Sequence, residues 1–296
     1  MVARSSPEDY KYSDDVARQK FFPLAAAAYS SSPQECISNK YKNASIAVHS
    51  DVQCDPAPCA SCAGFIALLH EDEAIALSFR GTNTLAQLIK ESEQTLFHEK
   101  VPWITGGYVS KYFYNAFHAV WYGGIKDKFE DILKTYSAYE IWVTGHSLGG
   151  SMASLAASHI VANGYVNASN MKLVTFGQPR TGDHDYANAI NGQGIYSFRV
   201  VHRRDIIPHL PLTCKNYSHH DSEAFYPSSM KEGSSFKICR AGERSLCSSG
   251  LLHALSLYDH RNYFNSEVST YGMKGCVEPA TTSLLEWIRG RICFWH

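Results

Sequence analysis

Apolar residues fall in blocks along this chain, and the spacing inside each block changes from element to element. Ala63 to Leu69 and Ala74 to Phe79 are two apolar runs separated by His70-Glu-Asp-Glu73, the pattern of a hairpin. Leu85 to Phe97 sets Leu85, Leu88, Ile89 and Leu96 among polar residues, an amphipathic stretch. Helical spacing returns from Val109 to Tyr136 (Phe113, Ala116, Val120, then Phe129, Ile132, Leu133, Tyr136), interrupted at Gly123-Gly124. Glu140 to Thr144 reads as a buried strand. Leu148 to about Asn163 reads as a helix packed through Met152, Leu155, Ala156 and Ile160, stopped at Asn163-Gly164. Lys172 to Phe176 and Ser197 to Val201 are two more strands, and Ile206 to Phe264, rich in Pro, Ser, Gly, Tyr and His, is expected to be mostly loop. Strands alternating with helices predict an α/β fold with a mostly parallel central sheet. Ligands of such sheets bind beyond the carboxyl ends of the strands, so Thr82, Ser147, Gly177 and Asp205, each just after a predicted strand, are expected at one edge.

Composition narrows the function classes. A chain of 296 residues that is 45% hydrophobic can bury a large core, and one main domain is expected. Lys plus Arg (27) nearly balances Asp plus Glu (28), so no global field draws it to nucleic acid. No apolar run is long enough to span a membrane, no fixed-period repeat appears, and the chain is expected to be soluble. Met1 to Asp15 carries four acids and no apolar core, which is not a signal peptide, and Phe21 to Tyr29 is expected to be the first helix of the domain. Nine cysteines nevertheless point to an oxidising compartment, hence to secretion, and an odd count leaves at least one unpaired. Cys59-Ala-Ser-Cys62 is a possible zinc half-site without a second close pair, so no metal and no cofactor are expected. Sequons at Asn43, Asn167 and Asn216 agree with secretion.

The candidate chemistry centres on Gly145-His146-Ser147-Leu148-Gly149, a G-x-S-x-G motif between the predicted strand and helix. That order projects the serine hydroxyl from a sharp turn above the sheet, over a helix N-terminus that favours developing negative charge. A serine hydroxyl is a weak nucleophile until a histidine takes its proton, and the imidazole needs a carboxylate to fix its tautomer. In the order Ser, acid, His, Asp205 is the best-placed acid because it follows a predicted strand. Asp183 and Asp185 are rivals, with a turn or helix-cap role as their ordinary reading. His219, His220, His253 and His260 lie downstream. His260 comes late enough to fold back over the sheet edge, whereas His146 is expected to be structural, held under the turn.

Phe79 to Thr82, Val143 to Leu155, Val174 to Asp183, Arg203 to His209 and Asp259-His260 together resemble the class 3 (fungal-type) triacylglycerol lipases, especially secreted roundworm members. The resemblance runs from about Phe21 to Cys276, giving an arm (1–20), a lipase domain (21–276) and a tail (277–296). It implies an α/β-hydrolase fold with helices on both faces of the sheet, Ser147 as nucleophile, Asp205 as acid and His260 as base. It further implies an oxyanion hole of the Leu148 N–H with the Thr82 N–H and hydroxyl. The Leu85 to Phe97 stretch becomes a mobile lid, with Glu91 where fungal members keep an acid that braces the oxyanion hydroxyl. Disulfides implied are Cys36 with Cys276, Cys54 with Cys62, and Cys239 with Cys247, leaving Cys59, Cys214 and Cys293. In the tail, Leu284, Leu285, Trp287, Ile288 and Ile292 suggest a short amphipathic helix, expected to pack on the domain, with membrane contact as the alternative. The expected activity is hydrolysis of acylglycerol esters at an oil–water or membrane interface, without an obligate protein partner. Phospholipase A1, a short-chain esterase, a catalytically silent lipid-binding protein and a zinc-binding module are the alternatives.

Overall fold

In the computed structural model the apolar runs become the strands of one eight-stranded sheet; residues 10–54, 61–82, 98–240, 246–251 and 255–277 are described. In chain order come β1 (Ala44–Gln53), β2 (Ser61–Leu69) and β3 (Ala74–Phe79), a small separate hairpin of β4 (Lys100–Pro102) and β5 (Tyr108–Ser110), then β6 (Glu140–His146), β7 (Met171–Phe176), β8 (Tyr196–His202), β9 (Glu223–Tyr226) and β10 (Lys237–Cys239). Across the sheet the order is β1-β2-β3-β6-β7-β8-β9-β10. From β3 to β9 every neighbouring pair is parallel, and antiparallel pairs close both ends. This is the mostly parallel sheet the alternation of elements predicts.

Helices cover both faces, so the central strands are apolar on both sides and read as continuous runs. One face of β3 and β6 (Ala74, Ala76, Trp142) packs with the helix Phe22–Ala27, and the other (Ile75, Leu77, Ile141, Val143) packs with the helices Lys111–Val120 and Leu148–Ala162. The break expected at Gly123-Gly124 separates Lys111–Val120 from Lys126–Thr135, and Gly124 there has φ +121°.

Two expectations need correction. The N-terminal helix begins before Phe21: Val16–Phe21 is already helical, with π geometry, and runs on into Phe22–Ala27. Residues just before it are tied into the domain, with Tyr12 against Phe198 and Phe236, Asp14 paired with Arg18, and the Arg18 guanidinium 4.2 Å from the Phe264 ring centre. The Ile206 to Phe264 region, besides its loops, supplies β9 and β10, the last two strands of the sheet. Disulfides link Cys36 to Cys276, Cys54 to Cys62 and Cys239 to Cys247, and Cys214 is an exposed free thiol. The Leu85 to Phe97 stretch with Glu91, Cys59, Cys293, His253 and the tail helix lie outside the described residues.

Candidate active site

Ser147 sits between β6 and the helix Leu148–Ala162 with φ +60° and ψ −130°, a conformation that non-glycine residues rarely adopt. The turn is tight enough to demand glycine beside it: a Cβ on Gly145 would lie 2.3 Å from the Gly149 carbonyl carbon, and one on Gly149 2.1 Å from the Phe79 oxygen. The Ser147 N–H donates to the Phe176 carbonyl (2.8 Å), and the Ser147 carbonyl accepts from the Gly150 N–H (2.9 Å), fixing the turn against β7 and its own helix. The side chain is then left at the helix N-terminus, where the first N–H groups have no partner within the helix.

Asp205 follows β8 and is fully buried. Its Oδ1 accepts from the Ile207 N–H (2.9 Å), its Oδ2 accepts from the Tyr263 hydroxyl (2.6 Å), and both oxygens lie 2.9 Å from His260 Nδ1. Burial by itself would raise the pKa of this carboxyl. The neighbouring His260 charge and the hydrogen bonds from His260, Tyr263 and Ile207 outweigh it and bring the pKa below the ordinary value. An ionised Asp205 holds Nδ1 as the donor, which leaves Nε2 as the basic nitrogen.

His260 lies on the short helix Leu257–Arg261. Ser256 caps this helix by accepting from the Asp259 N–H (2.9 Å), its own N–H donates to the Arg204 carbonyl (2.9 Å), and Asp259 accepts from the Arg204 N–H (3.2 Å). The distant histidine segment is thereby fastened to the loop that carries Asp205. His260 Nε2 and Ser147 Oγ are both buried and have no hydrogen-bond partner among the described residues.

His146 lies beneath this pair. Its Nε2–H donates to the His260 carbonyl (2.8 Å), its Nδ1 accepts from the Tyr29 hydroxyl (2.8 Å), and its ring lies 4.5 Å from the His260 ring. Gly177, after β7, has φ +57°, and a Cβ there would stand 2.8 Å from Asp205 Oδ2 and 2.9 Å from His260 Nδ1. Gly177→Ala should therefore displace the Asp205–His260 pair and lower kcat by about 10²-fold with a smaller change in KM. An unchanged kcat in the folded variant would show that the pair tolerates the displacement.

Thr82 and His260 line one cavity of about 320 Å³, which Tyr29 and His146 also border. A Cβ on Gly81 would be 3.0 Å from the Ser147 Cβ, so the backbone leading to Thr82 passes directly beside the serine. Leu148 is the first residue of the helix that follows Ser147. The rival acid Asp183 is placed elsewhere: its Oδ1 accepts from the Tyr186 and Tyr108 N–H groups (3.0 Å each), capping the helix His184–Gln193, and Asp185 lies in the first turn of that helix. His219 is turned to the Pro208 carbonyl (2.7 Å), and His220 to Gln178 and Ser197. Tyr263 and Tyr29, which hold Asp205 and His146, carry no motif in the sequence; only folding brings them to their partners.

The buried histidines make stability depend on pH. Burial, then the nearby His260, lowers His146 from the ordinary 6.5 to about 3. Burial, then the Arg199 guanidinium, lowers His220 to about 3. The unfolded chain binds these protons first, so the stability is fully present above pH 6.5 and is lost as pH falls toward 3. The Tm should fall across that window, and a Tm flat through it would contradict neutral burial of these rings.

Residues 76–215 match the family model for lipase (class 3). A lipase of Caenorhabditis elegans is 34% identical over 309 residues, covering 93% of this chain and 86% of its own length. The solved Rhizomucor miehei triacylglyceride lipase superposes with a TM-score of 0.77 at 26% identity, covering 88% of this chain and 97% of that one. Another solved triacylglycerol lipase, described as having a serine protease triad as its catalytic centre, gives 0.76 at 26% identity over 88% and 97% of the two chains. The chain belongs to the class 3 lipase family. It is a carboxylic ester hydrolase with the α/β-hydrolase fold of those lipases.

Proposed function

We propose that this chain is a secreted lipase that cleaves acylglycerol esters at a lipid–water interface through an acyl-Ser147 intermediate, with His260 as base and Asp205 as its orienting acid. The observation that carries the reading is the complementary pair of buried, unpartnered atoms, Ser147 Oγ and His260 Nε2, with Nδ1 of the same ring held by an ionised Asp205. In this mechanism Nε2 takes the serine proton as Oγ attacks the ester carbonyl. The oxyanion is held by the Leu148 N–H and by the N–H and hydroxyl of Thr82, each donor contributing roughly 3 kcal/mol. His260 then protonates the departing alkoxide, and a water activated by the same nitrogen releases the fatty acid.

Interfacial action is supported by Leu255 and Tyr258, which shortly precede His260 in the chain and are 73% and 72% exposed. Secretion is supported by the three disulfides, which persist in oxidising compartments. No helix among the described residues is long and apolar enough to cross a membrane. The test is fatty-acid release from triacylglycerol below and above the concentration at which it forms an interface. A rise at the interface is expected; activity confined to dissolved short esters would make the protein an esterase instead.

A further inference from the structure

We propose that Arg80 is a positioning residue for ester hydrolysis: by gripping the disulfide-closed end of β1 and β2, it fixes the strand end that carries the Thr82 donors beside Ser147. The inference rests on the oxyanion role given to Thr82 above and adds what holds that residue in place.

β3 has its last ladder partners at Phe79, which pairs with Gly64 on one side and with Gly145 on the other. Beyond Phe79 the backbone leaves the sheet and runs past the nucleophile with little room to drift. A Cβ on Gly81 would lie 2.7 Å from the His146 carbonyl oxygen and 3.0 Å from the Ser147 Cβ. An oxyanion donor works by being in place before charge develops, so whatever holds residues 80 to 82 contributes to the rate. The ladder to β6 stops too early to do this.

Arg80 supplies the hold. Its N–H donates to the Ala63 carbonyl (2.9 Å). Its guanidinium reaches across the ends of both neighbouring strands: one nitrogen donates to the Ser61 carbonyl (2.8 Å) and the Ser61 hydroxyl (2.6 Å), another to the Asp51 carboxylate (3.1 Å). The Asp51 side chain is 45% exposed, so that ion pair alone contributes little and the bonds to Ser61 carry the grip. Ser61 is the first residue of β2 and pairs with Gln53, the last of β1. Strand ends open readily. Here the disulfide between Cys54 and Cys62 joins the residues that follow Gln53 and Ser61, so the guanidinium is tied to a closed end. The Gly81 N–H in turn donates to the Tyr29 hydroxyl, which donates to His146 Nδ1. The segment is therefore anchored at residue 80 to the outer strands and at residue 81 to the ring that lies beneath His260.

The test is steady-state hydrolysis of a dissolved short-chain ester by the intact protein, with thermal melts to confirm folding. Arg80→Leu should lower kcat about tenfold with KM within about twofold of wild type, part of the roughly 10²-fold that a 1 Å misplacement costs. Arg80→Lys keeps the charge without the planar fork and should stay several-fold below wild type. Cys54→Ala with Cys62→Ala should lower kcat in the same way. Adding Arg80→Leu to that pair should then cost less than it does alone, because both changes loosen one grip. An unchanged kcat in folded Arg80→Leu, full activity in Arg80→Lys, or independent effects of Arg80 and the disulfide overturns the grip. In each of those cases a loss of about 10²-fold in Thr82→Val leaves the oxyanion role standing. An unchanged kcat in Thr82→Val overturns that role, and the purpose of the grip with it.

Discussion

Ser147→Ala is expected to lower turnover of every accepted ester by at least about 10⁴-fold while leaving Tm within a few degrees of wild type. The size follows from the chemistry. Without Oγ there is no acyl-enzyme, and only the oxyanion donors and substrate binding are left to act on water directly. The small effect on stability follows from the packing. Ser147 Oγ is buried without a partner among the described residues, so its removal breaks no hydrogen bond there. The strained φ of +60° is imposed by the backbone bonds to Phe176 and Gly150, which alanine keeps. Parallel rate assays and thermal melts check both halves. Residual activity above one hundredth of wild type would place the nucleophile elsewhere.

The second large effect separates two aspartates. Asp205→Asn should reduce kcat by about 10⁴-fold, because an amide can present its NH₂ to His260 Nδ1 and stabilise the tautomer in which Nε2 carries the hydrogen. It also removes the charge that stabilises the imidazolium formed during attack. Asp183→Ala, by contrast, removes a helix cap and should cost about 1–2 kcal/mol of stability with kcat within a few-fold of wild type. The pair is informative because both side chains are buried and both accept backbone N–H groups. Only Asp205 touches the histidine. A comparable collapse of kcat in both variants, each still folded, would remove the distinction drawn between them.

Much of the fold was legible because its central strands are buried on both faces. β2, β3, β6 and β7 are almost wholly buried and mostly apolar, and a run of that kind is hard to mistake when Gly, Asp or Glu punctuates its ends. β1 was not legible for the opposite reason: it is an edge strand, with His49, Ser50 and Asp51 in its middle and most residues only half-buried. β9 and β10 are short and lie between loops, so composition hides them. The start of the N-terminal helix is hidden because Asp14, Asp15, Arg18 and Lys20 make it look like a solvated arm. Asp14 and Arg18 instead satisfy each other, and the Arg18 guanidinium lies over Phe264. At the candidate site, Ser147 was signalled by a local motif and Asp205 by its place after a strand. His260 depended on chain order and family likeness, since nothing local to it specifies the contact with Asp205. The Tyr263 and Tyr29 hydroxyls had no signal at all, because a tyrosine in a loop or after an alanine run is usually packing.

The link between Cys36 and Cys276 spans 240 residues and encloses the sheet and every residue assigned a catalytic role. Topologically it closes the backbone between the two cysteines into a ring. A single protease cut in the loops between Ile206 and His260 would open the ring without splitting it, and the nicked molecule would still migrate as one species until its disulfides were reduced. Ser147 and His260 would then part into separate fragments, so the ring gives the domain a tolerance to nicking that its strand-rich core alone would not confer.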